Sequence, residues 1–288
     1  MTGSRWGTWW VVGALVVAAG GCGEASSAGA GDVAPQAPPT SPTAVPAAEG
    51  VVRTAQSVVV SDDGSGPQLC FGGISFGDPP VCDDAAVTGW DWASVDDVSE
   101  EGGVRWGSYT LTGTYDGETF DVSEVSGPTG PQEWDYEIPC PTPEGGWQVS
   151  DPSKVSQDDL GAAMNRANGL DDYATGAVST PDGEPGPRDP ANTVFSVYVA
   201  GDPAVAESAI REVWGGMLCV VRVERTEEEL EKIQQSLLDV PGMSQVGGNL
   251  DNEMELEVFH DDGSIQRWVD QEYGEGVVVV TSNLQPVG

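Results

Sequence analysis

The apolar run from Trp9 to Ala19, ending in Ala19-Gly20-Gly21-Cys22, constrains this chain more than any other feature. Arg5 and the amino terminus put positive charge in front of it, and no acidic residue occurs before Glu24. A charged start, an apolar middle and small residues at a cut form the layout of an export signal, here residues 1–21. The run is too short for an ordinary transmembrane helix, which needs about 20 residues to cross about 30 Å of hydrocarbon. Export implies an oxidising compartment, where cysteines pair. Five cysteines are present, and setting Cys22 aside leaves Cys70, Cys82, Cys140 and Cys219, an even number that predicts two disulfides. Three connectivities are open to them. Cys70 with Cys82 is the most local, closing a short loop around Asp78-Pro79-Pro80, and it leaves Cys140 with Cys219.

The residues before Cys22 resemble the bacterial lipobox, in which small residues precede a cysteine alkylated by a diacylglyceryl group. Ala19 departs from it, standing where leucine is preferred. The resemblance implies a lipid on Cys22 and a chain held at the outer face of the cell membrane, which makes the membrane an expected partner. Two acyl chains anchor stably where one is marginal. Residues 22–50 are rich in Ala, Pro, Ser and Gly. Such a segment buries too little apolar surface to offset its ordering entropy, so it reads as a disordered tether.

Charge removes one large class of partner. The chain carries 47 acidic and 11 basic residues, a formal net charge of -36. It repels nucleic acid, so no nucleic-acid partner is expected. A well-solvated surface explains the acidity more simply than a dedicated cation role. The partners this leaves are an envelope protein or a glycan.

The fold class expected is α+β. Residues 51–126 hold short β-like runs, Val51–Val60, Leu69–Ile74, Val87–Trp92, Arg105–Tyr115 and Thr119–Val125, separated by turn residues. Asp116-Gly117 between the last two is a hairpin signal. Five short strands in so few residues predict a small OB-like β-barrel, with Trp90, Trp92 and Trp106 available to fill it. Residues 127–190 read as a connector with one helix. Pro139, Pro141 and Pro143 forbid regular pairing there, and Ser156 with Asp159 opens a helix that Gly169 ends. Residues 191–288 alternate strand and helix. Val194–Val199, Met217–Val223, Glu255–Phe259 and Val277–Thr281 are the strands. Helices start at Asp202, at Thr226 with its Glu229, and at Asp262-Gly263-Ser264. The pattern predicts a two-layer α/β sandwich, one sheet with helices on one face.

The segments CFGGISFGDPPVC, TGWDW, RWGSYTLTGTYDGETF, CPTPEGGW and VWGGMLCV resemble those of uncharacterised actinobacterial secreted lipoproteins. The resemblance spans most of the chain after Cys22 and brings no activity with it.

The search for chemistry yields no catalytic residue, no metal ligand and no cofactor. A nucleophile–histidine device needs a base, and His260 is the only histidine. It falls at a strand–helix turn, where a structural or solvated role is expected. No phosphate loop, dinucleotide fingerprint or HExxH occurs. Asn249–Glu253 is the densest oxygen-rich stretch but lacks the spacing of a calcium loop. The sequence thus favours a non-catalytic binding module. The alternative is a hydrolase of envelope glycans or other extracellular substrates, using carboxylates alone across a cleft.

Overall fold

A computed structural model describes residues 40–70, 79–80, 82, 84–128, 137–183 and 189–287. The export signal, Cys22 and most of the segment read as a tether lie outside them, as do Ile74, Asp78 and Trp134.

The first half builds a barrel. The run read as one strand over Val51–Val60 is two, β1 (Val52–Thr54) and β2 (Val58–Asp62). There follow β3 (Gln68–Cys70), β4 (Ala85–Thr88), β5 (Ser99–Glu101), β6 (Val104–Tyr115) and β7 (Thr119–Ser126). Going around, β2 pairs β3, β3 pairs β4, β4 pairs β7, β7 pairs β6, and β6 returns to β2, closing a five-stranded barrel. Every rung is antiparallel except β4 with β7, which is parallel. Asp116 makes the β6–β7 turn, its Oδ1 accepting the Glu118 and Thr119 N–H groups at 3.0 and 2.7 Å. Gly117 sits at φ 103°, which a side chain resists. Alternate residues point inward, and Val58, Val60, Leu69, Val87, Leu111 and Phe120 fill the interior. Trp90 and Trp92 pack against this core, partly buried. Trp106 falls at the opposite parity of β6 and stays out of it.

From Gln157 to Ser282 the chain folds as two copies of one unit. The first is α1 (Gln157–Asn168), β8 (Tyr173–Ser179), β9 (Val194–Val199), α2 (Pro203–Arg211) and β10 (Met217–Arg222). The second is α3 (Glu227–Leu237), β11 (Met243–Gly248), β12 (Met254–Val258), α4 (Ser264–Tyr273) and β13 (Val278–Ser282). In each, a helix leads into an antiparallel hairpin. A second helix then crosses to a third strand, parallel to the hairpin's second. Register agrees as well as order. Tyr173 lies opposite Val199 and Met243 opposite Val258, each followed by a bulge one step on. Capping repeats too: Ser156 with Asp159 opens α1, and Thr226 with Glu229 opens α3, both as reciprocal capping boxes. Phe195, Val197 and Val199 of β9 bury against α1 and α2, as Met254, Leu256 and Val258 of β12 do in the second unit's core. The single sheet expected over residues 191–288 is therefore two three-stranded sheets. The first takes β8 from the span read as connector.

The chain ends where the barrel began. β14 (Leu284–Pro286) pairs antiparallel with β1, which pairs β6 on its other side. Phe259, just past β12, enters the barrel core with its ring edge-on to Tyr115 and Phe120, centroids at 5.1 and 6.5 Å. The end of the segment read as a tether is docked as well. Val45 and Ala48 pack against the same core, and the Ala48 N–H donates to Tyr115 O at 2.9 Å. Barrel and units share these contacts, and Pro38–Gly288 is one compact unit.

Candidate functional site

The barrel end opposite Phe259 carries the densest polar–aromatic arrangement of the described barrel. β2 finishes there at Asp62 and β6 begins beside it, so ring closure sets Asp62 opposite Arg105. The Asp62 carboxylate is nearly buried, at 7% exposure, and fully engaged. Its Oδ1 accepts the Gly64 and Gly66 N–H groups at 2.8 and 3.2 Å. Its Oδ2 accepts Trp92 Nε1–H at 3.0 Å and lies 3.6 Å from the Arg105 guanidinium. Burial raises the pKa of this carboxyl, but the donors from Gly64, Trp92 and Gly66, with Arg105, outweigh it and hold it below the usual carboxylate range.

Aromatic rings cover this ion pair. Arg105 stacks over Trp92 at 5.5 Å, Trp90 meets Trp92 edge-on at 5.2 Å, and Trp90 meets Tyr109 at 5.2 Å. The Tyr109 ring crosses Gly107 so closely that a Cβ there would fall inside it. Tyr109 donates to Asp96 O at 3.0 Å, and burial, with Asp97 and Asp96 nearby, raises its pKa. Trp90 Nε1 is buried with no hydrogen-bond partner. The arrangement sets two partly buried indoles on a charge-locked base.

The sequence reads Asp62-Asp63-Gly64 only as a turn and the tryptophans only as filling. Their meeting with Arg105 comes from ring closure, which spacing along the chain does not encode. The Trp90-Asp91-Trp92 doublet was the signal available.

Cys70 lies with Cys82 at a Cα separation of 5.0 Å, and Cys140 with Cys219 at 5.8 Å, both disulfide-bonded. His260 is 7% exposed, and its Nδ1 donates to Pro46 O at 3.0 Å, fastening the docked segment ahead of β1. It borders a cavity of about 470 Å³ shared with Glu49, Asp261 and Asp262. Asp261 is committed to the start of α4, accepting from Gly263, Ile265 and Gln266 N–H groups. Asp262 is lowered by its Ser264 hydrogen bonds against the pull of burial, with Arg267 and His260 adding to the effect. Glycosidase chemistry needs a protonated carboxyl facing an ionised one. Glu257 is raised by burial and lies on β12, away from this cavity's lining. Asn249–Glu253 is the β11–β12 turn. Asn252 accepts from the Glu224 and Arg225 N–H groups and donates to Arg225 O, tying the second unit's hairpin to the link between units. No group of three or more metal-ligating side chains occurs among the described residues. Nor is any helix among them long and apolar enough to cross a membrane.

No protein-family model matches the chain, and no curated protein matches it.

Proposed function

We propose that this chain is a lipid-anchored protein at the outer face of the cell membrane, held through Cys22, and that it acts as a non-catalytic binding module of the cell envelope. The observation that carries the address is in the cysteines. With Cys22 set aside after its apolar run, the other four are paired in two disulfides, as an oxidising compartment favours. Membership among the actinobacterial secreted lipoproteins belongs to the same proposal. If the export signal is cut before Cys22, mass spectrometry of the membrane fraction finds a diacylated amino-terminal peptide beginning at that residue. Cys22→Ser then shifts the protein to the medium. An unmodified chain with a different start would overturn the anchor.

The barrel is OB-like in this reading. Its ring order, with the third and fifth barrel strands parallel, supports that, and so does its size. Each repeated unit is a small two-layer α/β sandwich. OB barrels bind along the face of their second and third strands and through hairpin loops, including the first. Here the first hairpin loop starts at Asp62, bonded to Trp92. The exposed parts of these partly buried indoles suit the apolar faces of a glycan or an aromatic-seeking protein segment. Titrating soluble cell-wall glycan fragments should quench indole fluorescence, and Trp92→Ala should weaken binding by about 0.5–1.5 kcal/mol, as for a lost ring contact. Unchanged affinity in that variant would move the ligand elsewhere. A carboxylate hydrolase is the weaker reading, because the raised Glu257 and the lowered Asp262 do not share a cavity.

A further inference from the structure

The two units differ in what covers their second sheet face. One face of each sheet carries that unit's two helices. On the other face of the first sheet, Val194, Met217 and Cys219 are buried beneath Ile138, Cys140 and Trp147 of the proline-rich segment before α1. The Cys140–Cys219 bond pins that segment in place. An extended strap of the chain itself thus roofs the first sheet.

Among the described residues, no such strap roofs the corresponding face of the second sheet. By register, Ser196 corresponds to Glu255, Tyr198 to Glu257, Cys219 to Val279 and Val221 to Thr281. Tyr198 is 4% exposed, while its counterpart Glu257 is half-buried and Val279 is 37% exposed. Gln245, Glu255 and Thr281 are exposed beside them. Where the first unit has an apolar floor for its own strap, the second has a valine flanked by two carboxylates. Neither glutamate takes part in an ion pair among the described residues. Burial pushes Glu257 up, so its charge is held where a cation would relieve it. A second copy of this chain is a poor occupant, since each carries a net charge of -36.

We propose that the open face of the β11–β12–β13 sheet docks an extended, lysine- or arginine-bearing segment of a partner protein, laid across it as residues 138–147 lie across the first sheet. The proposal stands whether or not Cys22 carries lipid or the barrel binds a glycan.

The probe is a synthetic peptide of alternating lysine and valine, titrated against the full folded chain at moderate salt. A charged chain attracts such a peptide anywhere, so the comparison is between charge-matched variants. Glu255→Gln with Glu257→Gln is expected to weaken binding by about tenfold, and Glu100→Gln with Glu101→Gln, on the exposed β5, by less than about twofold. Amide exchange should slow along β12 and β13 on binding. Equal weakening in both double variants, or protection elsewhere only, would overturn the site. Thermal unfolding guards against misfolding: removing a charge that burial disfavours should leave Glu257→Gln at least as stable as the parent at neutral pH.

Discussion

At the scale of single residues, Asp62 shows how a buried charge becomes structural. Four hydrogen-bond donors or cations converge on one carboxylate, and removing it strands the partly buried Trp92 and Gly66 N–H groups, while Gly64 and Arg105 can turn to water. Its folded pKa lies below the unfolded value of about 3.9. The stabilisation is therefore present above that unfolded value and is lost as pH falls through the folded one. Asp62→Asn should cost about 1–3 kcal/mol at pH 7. The gap between parent and variant in thermal unfolding should close below about pH 4. A gap independent of pH would mean that packing, and not ionisation, gives Asp62 its effect. The sequence could not show this, because the carboxylate's partners come from three separate segments. His260 was more legible: one histidine, at a strand–helix turn, with no local partner. Its actual partner is Pro46 O, in a segment that composition marks as disordered.

Among elements, what could be read was what local chemistry dictates. Capping boxes, the Asp-Gly hairpin and the helix-start signals each depend on neighbours within a few residues, and each appears in the structure. The short strands β5 and β14 had no expected counterpart, and within the two units the strands missed are β8 and β11, whose sequences YATGAVS and MSQVGG are rich in glycine and small residues and alternate weakly. Both are sheet edges with a single partner strand. An edge strand is fixed by that partner more than by its own propensity. Missing both strands hid the duplication, since the shared order of elements becomes visible only when each unit is complete. The repeated boxes give a direct check. Ser156→Ala and Thr226→Ala should each cost about 1 kcal/mol of helix-capping stability. The double variant should be additive to within about 0.5 kcal/mol, because the caps share no partner. Strong coupling in chemical denaturation would show that the two helix starts report on one another.

For the whole molecule, separate domains were the natural reading of a composition that changes along the chain. The structure ties the parts together through a few contacts distant in sequence: Phe259 in the barrel floor, Val45 beside it, and β14 on the barrel's edge. None of these has a local signature. Phe259 reads as the end of a strand, and Leu284–Pro286 falls beyond Val277–Thr281, the last strand expected. The same contacts predict that truncation after Asn283 is far from silent. It strips the rungs opposite Val52 and Thr54 and removes the buried Leu284 from the core. Losing that leucine alone should cost about 2–5 kcal/mol. The bared edge of β1 should also promote association, read as concentration-dependent light scattering. A truncated chain with unchanged melting and scattering would show that β14 is ornamental.

The pairing of β1 with β14 also orders events in time. A chain emerging from a ribosome or an export channel presents Val52–Thr54 early, and Leu284–Pro286 only after every other described strand. Until it does, one side of β1 has no backbone partner, however well the barrel has closed on the other. The opening strand of the folded unit is in this way the last to be completed. Contacts spanning so much of the chain are slow to form, so β14 sets the moment at which β1 stops offering an adhesive edge to its neighbours.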